Sequence, residues 1–126
     1  MDKDGAEFLV VIVDVGSANA RDVARAARGV VVARCCRVPA STDRYGVIKM
    51  GADVTRNHLH KQFGGYENVE IARPLQFASV ETVRTAEELT KEAGDRRDYL
   101  DAIVVAFDHV VEVTGQKPVK SRAVLF

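Results

Sequence analysis

The sequence predicts an α/β fold in which helices cover both faces of a doubly wound, Rossmann-like, mostly parallel sheet with an antiparallel hairpin at one edge. The first observation is the unbroken apolar run FLVVIV at Phe8–Val13, which is typical of a strand buried on both faces. The second is the order of the patterns, strand, helix, strand, strand, helix, helix, strand, which is typical of the N-terminal half of a doubly wound sheet. The third is a pair of strand patterns joined by a loop, which predicts that these two strands pair antiparallel.

Periodicity and turn residues divide the chain into four strands and three helices. The predicted strands are Phe8–Val13, Tyr45–Met50, Glu67–Arg73 and Ala123–Phe126, and the predicted helices are Ala20–Ala33, Val80–Ala93 and Asp98–Val113. The first helix has its apolar residues at helical spacing and takes Ser17 or Asn19 as its cap.

The middle of the chain carries the turn signals of the hairpin. Thr55–Gly65 is polar and ends in two glycines, so it is predicted to be a loop. The strand after it is predicted to stop at Pro74, which cannot donate a ladder hydrogen bond. Ser79 is a favourable N-cap for the next helix, and Gly94 is its predicted C-terminal stop.

The last helix carries two apolar stripes. Leu100, Val104, Phe107 and Val111 form one stripe, and Ile103, Ala106 and Val110 form the other. A helix that is apolar most of the way round must be covered on two sides. Either later parts of the domain cover the second stripe, or the stripe forms a groove for a partner peptide.

Composition and charge limit the classes of function. The 126 residues allow one domain, and 47% of them are hydrophobic, which is enough for a buried core. With 18 basic and 18 acidic residues the net charge is zero, which argues against this segment being a main nucleic-acid clamp. No apolar run reaches membrane-spanning length, and the acidic start MDKDGAE does not resemble a signal peptide, so we expect no membrane and a reducing, intracellular compartment.

Asp14 ends the first strand and is the first candidate for chemistry. A carboxylate at the carboxyl end of a parallel strand lies where open α/β sheets bind ligands. Asp14 and Ser17 would offer a cation one carboxylate and one hydroxyl, but Gly16 and Ala18 stand where a metal site would need further hydroxyls. We therefore interpret Asp14 and Ser17 as a degenerate site that holds no metal, with Asp14 capping the following loop or helix.

Histidines and cysteines give weaker signals. His58 and His60 form a His-x-His pair without a Cys, Asp or Glu at matching zinc spacing, so we interpret them as solvated loop residues. Cys35 and Cys36 are adjacent, a spacing that suits neither a disulfide nor zinc, and we interpret them as packing residues near a helix end.

Arginines mark one face of the first helix. Arg21, Arg25 and Arg28 would suit contacts to a phosphate backbone, although such a charged face is usually only solvated. The chain contains neither G-x-x-x-x-G-K-[ST] nor G-x-G-x-x-G, so we expect no nucleotide and no other cofactor.

Four segments carry a family resemblance. They are VVIVDVG at Val10–Gly16, MGADVTRN at Met50–Asn57, YENVEI at Tyr66–Ile71 and DYLDAIVVAFD at Asp98–Asp108. In this order they resemble the N-terminal von Willebrand factor A-like domain of the Ku DNA-end-binding heterodimer, specifically that of its larger subunit. Residues 1–126 would then form this domain, incomplete at its C-terminus because no helix follows the last predicted strand.

The resemblance implies a non-enzymatic scaffold. Ku proteins bind broken DNA ends in non-homologous end joining and act at telomeres, although the family is sometimes labelled a helicase. The implied partners are the smaller Ku subunit, repair-factor peptides and double-stranded DNA ends, which are bound through the full-length protein rather than this segment. The implied location is the nucleus. The positions that match the family's peptide groove are Leu59, Tyr66, Val104 and Phe107.

Two other classes of function stay open on the residues alone. One is a metal-dependent adhesion-type A domain, for which a cation would raise the melting temperature. The other is a small-ligand-binding α/β enzyme, for which a ligand would bind saturably near Asp14.

Overall fold

The structure, a computed structural model, describes residues 6–36 and 42–126, so the acidic start at residues 1–5 lies outside it. These residues form four strands and four helices. The strands are β1 Glu7–Asp14, β2 Arg44–Met50, β3 Val69–Phe77 and β4 Lys120–Leu125. The helices are α1 Ala20–Cys35, α2 His58–Phe63, α3 Val80–Glu87 and α4 Tyr99–Thr114.

The four strands form one mixed sheet in the order β3-β2-β1-β4. β1 pairs in parallel with β2 on one side and with β4 on the other. β3 pairs antiparallel with β2, from Arg44 opposite Phe77 to Met50 opposite Val69. The predicted α/β class, the parallel pairing and the antiparallel edge hairpin are thereby confirmed.

Helices cover both faces of the sheet, because alternate residues of the central strands point to opposite sides. On one face, Leu9, Val11 and Val13 of β1 pack with α1 and α3. On the other face, Val10 and Ile12 of the same strand pack with α4. β1 is thus buried on both faces, as its unbroken apolar run predicted.

β3 continues through Pro74 to Phe77, so the prediction that Pro74 stops this strand is wrong. Proline is tolerated in edge strands and at bulges, and β3 is both the edge strand and the site of a register irregularity opposite Tyr45–Val47. β4 starts at Lys120, three residues before its predicted start, because polar residues at a sheet edge can still pair with β1.

The predicted loop at Thr55–Gly65 contains helix α2, so the loop prediction is wrong there. The Asn57 side chain caps this helix by accepting a hydrogen bond from the His60 N–H at 2.8 Å. Gly64 follows its last residue with a positive φ of 75°. Both are ordinary helix-end signals, but a segment of six residues with only Leu59 and Phe63 apolar is too short to show the periodicity that predicts a helix.

A buried histidine of α4 hydrogen-bonds to the backbone of the irregular part of β3, next to Pro74. The Leu75 N–H donates to Nε2 of His109 at 3.0 Å, and His109 is 5% exposed on the inner side of α4. Because Nε2 accepts a hydrogen bond here, the imidazole proton lies on Nδ1, which faces the Glu112 carboxylate at 3.3 Å. His109 thus links the edge strand to α4 by a polar contact.

Replacing His109 with leucine should remove the acceptor and leave the Leu75 N–H unpaired in the interior. We expect a loss of about 1–3 kcal/mol in the free energy of unfolding, measured by urea denaturation. Glu112→Gln is the control, because Glu112 is exposed and the amide keeps an acceptor oxygen for Nδ1. It should change stability by less than about 0.5 kcal/mol. Equal effects of the two substitutions would contradict the assigned role of Nε2.

Candidate functional site

The carboxyl ends of the parallel strands are the first place to look for a site. β1 has a parallel neighbour on each side, and β2 precedes β4 in the chain, so the strand order reverses beside β1. Ligands of open α/β sheets bind in the crevice at such a reversal. Asp14 is the last residue of β1, and its N–H donates to the Phe126 carbonyl at 3.0 Å, which places it at this point.

The carboxylate of Asp14 forms an ion pair with an arginine. Arg97 donates from Nε to Oδ1 at 3.1 Å and from Nη2 to Oδ2 at 2.8 Å, which is the bidentate geometry of an arginine–carboxylate pair. The Gly16 N–H also donates to Oδ1 at 3.1 Å. The hydrogen bond from Arg97 to Asp14, and then the charge of that carboxylate, raise the pKa of the Arg97 guanidinium, which therefore stays charged.

Two glycines leave room for the Arg97 side chain. A Cβ on Gly16 or on Gly51 would come within 3.0 Å of its methylene groups. Gly51 also has a positive φ of 78°, which glycine adopts without strain. At the sequence level Gly16 indicates only that a hydroxyl ligand is missing. In the structure its lack of a side chain makes room for the Arg97 side chain.

The segment from Glu88 to Asp98 lies across this edge of the sheet, which is why the predicted extension of α3 to Ala93 is wrong. α3 ends at Glu87, and Gly94 is not its C-cap. The Glu92 N–H donates to the Val15 carbonyl at 2.8 Å, and the Gly94 N–H donates to the Gly51 carbonyl at 3.1 Å. A helix continuing to Ala93 would direct these N–H groups to its own carbonyls instead.

Side chains hold the same segment in place. The Glu92 carboxylate accepts hydrogen bonds from Nζ of Lys49 at 2.6 Å and from the Asp53 N–H at 2.8 Å. Asn68 accepts from the Arg96 N–H at 3.0 Å and donates to the Ala52 carbonyl at 2.9 Å. The Lys49 and Glu92 side chains are only 19% and 14% exposed, so solvent screens this pair less than a surface pair.

Ser17, the second residue of the degenerate metal site, hydrogen-bonds to the backbone just before α1. Oγ of Ser17 accepts a hydrogen bond from the N–H of Asn19, the residue that precedes α1, and the Asn19 side chain makes no cap hydrogen bond. No group of three histidine, cysteine or acidic residues within 6–36 and 42–126 is arranged to hold a metal ion. At this edge the Asp14 carboxylate is therefore already paired with a cation of the same chain, the Arg97 guanidinium.

The four predicted groove residues lie around α4 at different depths. Val104 and Phe107 are 47% and 43% exposed, on the stripe of α4 that faces away from the sheet. The second stripe, which was expected to be left for a later segment or a peptide, packs against the sheet instead. Leu59 and Tyr66 are half-buried and pack against the core beneath α4. His58 of α2 joins the two parts, because its Nδ1 lies 3.0 Å from Oδ2 of Asp108 on α4.

The other histidine and both cysteines have local roles. Nδ1 of His60 lies 2.7 Å from the Gly65 carbonyl, so both predicted loop histidines belong to α2 and its contacts. Cys35 ends α1, and Cys36 follows it as the C-cap. Burial, and then the neighbouring Cys36 thiol, raise the pKa of the Cys35 thiol, which opposes formation of the reactive thiolate.

The edge is completed by Arg97, Glu92 and Asn68, which no sequence pattern indicated. Arg97 lies 83 positions after Asp14. Its only sequence signal is its place next to Asp98, which caps α4 by accepting hydrogen bonds from the N–H groups of Leu100 and Asp101. An arginine beside a helix start is too common a pattern to indicate a partner.

Curated proteins similar to this chain carry Ku names. A rice protein named "ATP-dependent DNA helicase 2 subunit KU80" is 34% identical over 84 residues, which are 67% of this chain and 12% of that protein. The Arabidopsis thaliana protein of the same name is 29% identical over 114 residues, 86% of this chain and 16% of that protein. A Dictyostelium discoideum "X-ray repair cross-complementing protein 5" is 28% identical over 83 residues, 66% of this chain and 10% of that protein.

These similarities relate the chain to the larger subunit of Ku, the relation that its sequence motifs indicated. The chain spans less than a fifth of the length of these relatives. No protein-family model matches it. None of the helices in the described ranges combines the length and apolar character that a membrane span requires.

Gly94→Ala should destabilise the protein, because its Cβ would overlap the Ala52 carbonyl oxygen and the Gly51 backbone, neither of which can rotate away. We expect a loss of about 1–3 kcal/mol in the free energy of unfolding, measured by urea denaturation. Gly29→Ala is the matched control, since Gly29 is an exposed residue of α1 with no neighbour in reach. It should stabilise by about 0.4–1 kcal/mol. A neutral Gly94→Ala would contradict the close approach at the edge.

Divalent cations should bind Asp14 no more tightly than about millimolar, because Arg97 already pairs with both carboxylate oxygens. Calorimetric titration with magnesium or manganese measures this. Arg97→Met keeps the side-chain stem over the glycines and removes the charge. Since the pair is partly exposed, this substitution should lower stability by less than about 1 kcal/mol. Micromolar binding that Asp14→Ala abolishes would overturn the prediction.

Proposed function

We propose that this chain, related to the larger Ku subunit, is a non-enzymatic scaffold and protein-interaction domain of a Ku-type DNA-end-binding heterodimer. Its process is double-strand-break repair by non-homologous end joining, together with telomere maintenance, in the nucleus. Its partners are the smaller Ku subunit and repair-factor peptides. The relation to proteins named KU80 is the observation that carries the proposal.

The Asp14 edge supports a role without metal or nucleotide chemistry. Arg97 pairs with the carboxylate that a cation would use, and the segment before it is hydrogen-bonded across the strand ends. The chain also lacks a P-loop motif, so the word helicase in the plant relatives' names has no counterpart in these residues. A metal-dependent adhesion-type A domain would need an unpaired carboxylate at this edge, and a small-ligand-binding enzyme would need an open crevice at the strand ends. The Asp14–Arg97 pair and the segment across the strand ends therefore favour neither alternative.

Charge supports an indirect relation to DNA. The net charge of this chain is zero, whereas a DNA clamp carries a basic excess that neutralises phosphates. In this proposal double-stranded DNA ends are bound through the full-length protein rather than this segment. The sheet order and the two helical layers are compatible with a Rossmann-like domain, and we propose that this domain is the N-terminal part of a von Willebrand factor A-like domain.

The surface of α4 is the proposed peptide groove. Its stripe of exposed apolar side chains runs from 43% to 59% exposure, and a buried aromatic or apolar anchor from a partner would cover it favourably. The stripe consists of Leu100, Val104, Phe107 and Val111. Leu59 and Tyr66 would form the other wall, beyond the contact between α2 and α4.

The backbone at Tyr66 supports this assignment. Tyr66 has a positive φ of 49°, a conformation uncommon for a bulky residue. The Asn57 side chain holds it there by donating to the Tyr66 carbonyl at 3.1 Å and to the Val69 carbonyl at 2.9 Å. Strained residues that the surrounding structure fixes are found preferentially at binding sites.

Tyr66→Ala and Phe107→Ala test the groove in the full-length heterodimer. The measurement is fluorescence anisotropy with a labelled basic, aromatic-containing repair-factor peptide. We expect each substitution to weaken binding by about 2 kcal/mol, roughly thirtyfold, because aromatic anchors dominate such interfaces. Phe107→Ala should reduce stability by well under the roughly 3–5 kcal/mol of a buried phenylalanine, since the ring is 43% exposed.

Val113→Ala is the control, because Val113 is 45% exposed near the C-terminal end of α4 and outside the stripe. It should leave peptide affinity unchanged. Unchanged affinity of Tyr66→Ala and Phe107→Ala for every repair-factor peptide, together with a large fall in melting temperature, would assign both rings to the core and refute the groove.

A further inference from the structure

A cavity between α1 and the segment after α3 is lined by cations. Its volume is about 420 Å³, within the range of small-molecule sites. Arg21, Arg25 and Arg28 of α1 form one wall, and Lys91 faces them from the segment that covers the carboxyl edge of the sheet. None of the described residues that line the cavity is acidic; the others include Ala20 and Ala24.

The four cations have no ion-pair partner among residues 6–36 and 42–126, whereas Arg34, Arg56, Arg97 and Arg122 each have one. Residues four apart on a helix are neighbours, so Arg21 and Arg25 repel each other. Arg21 also lies in the first turn of α1, where the helix dipole disfavours positive charge. An anion would relieve both repulsions.

The spacing of the arginines indicates more than one anionic group. Arg21 and Arg28 are seven residues apart, which is about 10 Å along a helix axis. A single phosphate cannot span that distance, but a chain of linked phosphates can. Guanidinium groups pair with phosphate oxygens in bidentate fashion and lose less hydration than ammonium groups, so an arginine wall favours phosphate in particular.

We propose that this cavity, bounded by Arg21, Arg25, Arg28 and Lys91, binds a small polyphosphate, meaning a molecule with two or more linked or adjacent phosphate groups. Its concave shape and apolar floor of alanines favour a compact ligand over a duplex backbone. The cavity shares no lining residue with the α4 groove or with the Asp14–Arg97 pair. Lys91 directly precedes Glu92, which is anchored to Lys49, so an occupied cavity would hold the edge segment more firmly.

The test uses sodium tripolyphosphate as the probe and the full-length protein, with binding followed by isothermal titration calorimetry. Arg21→Gln/Arg25→Gln/Arg28→Gln removes three charges and keeps long, helix-compatible side chains. The matched control, Arg84→Gln/Lys117→Gln/Lys120→Gln, removes three exposed charges outside the cavity. We expect saturable binding that the cavity variant weakens at least about a hundredfold, since each lost charge-assisted contact is worth roughly tenfold or more.

The control should change affinity by no more than about twofold, because distant surface charges are screened by salt. Lys91→Gln, which leaves α1 intact, should weaken binding about tenfold. If the triple variant lowers the melting temperature, the affinity of Lys91→Gln decides the test. Equal losses in both triple variants, or the absence of saturable binding, would overturn the proposal. It would also be overturned if the cavity variant lost affinity for a closed-ended DNA duplex and kept its affinity for tripolyphosphate, because the arginines would then be a DNA contact.

Discussion

The pairing of Arg97 with Asp14 is the constraint around which the carboxyl edge of the sheet is organised. It joins the end of the central strand to the residue just before the N-cap of α4, 83 positions later in the chain. The pair itself is partly exposed and contributes modestly to stability. Its importance is geometric, because it forms only when the Glu88–Asp98 segment crosses the strand ends, and that segment occupies the crevice in which open α/β sheets otherwise bind ligands.

The position of α4 follows from this arrangement. Asp98 caps α4 directly after Arg97, so the start of the helix is fixed beside the end of β1. At its other end, His109 bonds to the irregular edge strand β3, which fixes the rotation of α4 about its axis. With both constraints in place, Ala102, Val105 and Ala106 face the sheet and the stripe containing Val104 and Phe107 faces outward. The proposed peptide groove depends on that rotation.

Most of the architecture was predictable because it depends on local patterns. The apolar run of β1, the Ser79 cap of α3 and the apolar periodicity of α4 each act within a few residues, and the structure has all three elements. The two apolar stripes of α4 were also recognisable, but which of them faces the sheet was not. The candidate site was predictable only in part: Asp14 was selected as the carboxylate at the strand end, and its partner Arg97 was not.

What the sequence determined by itself is the order of the four strands and the three longer helices, the α/β class, the antiparallel hairpin and the relation to Ku, because periodicity, capping and motif residues act over short distances. Tertiary structure alone decided where α3 ends, why β3 continues past Pro74 and which cation pairs with Asp14. Each of these depends on hydrogen bonds between residues far apart in the chain, such as Glu92 with Lys49 and Leu75 with His109. Such contacts override local propensity because a buried polar group without a partner costs more than a shortened helix or an irregular strand.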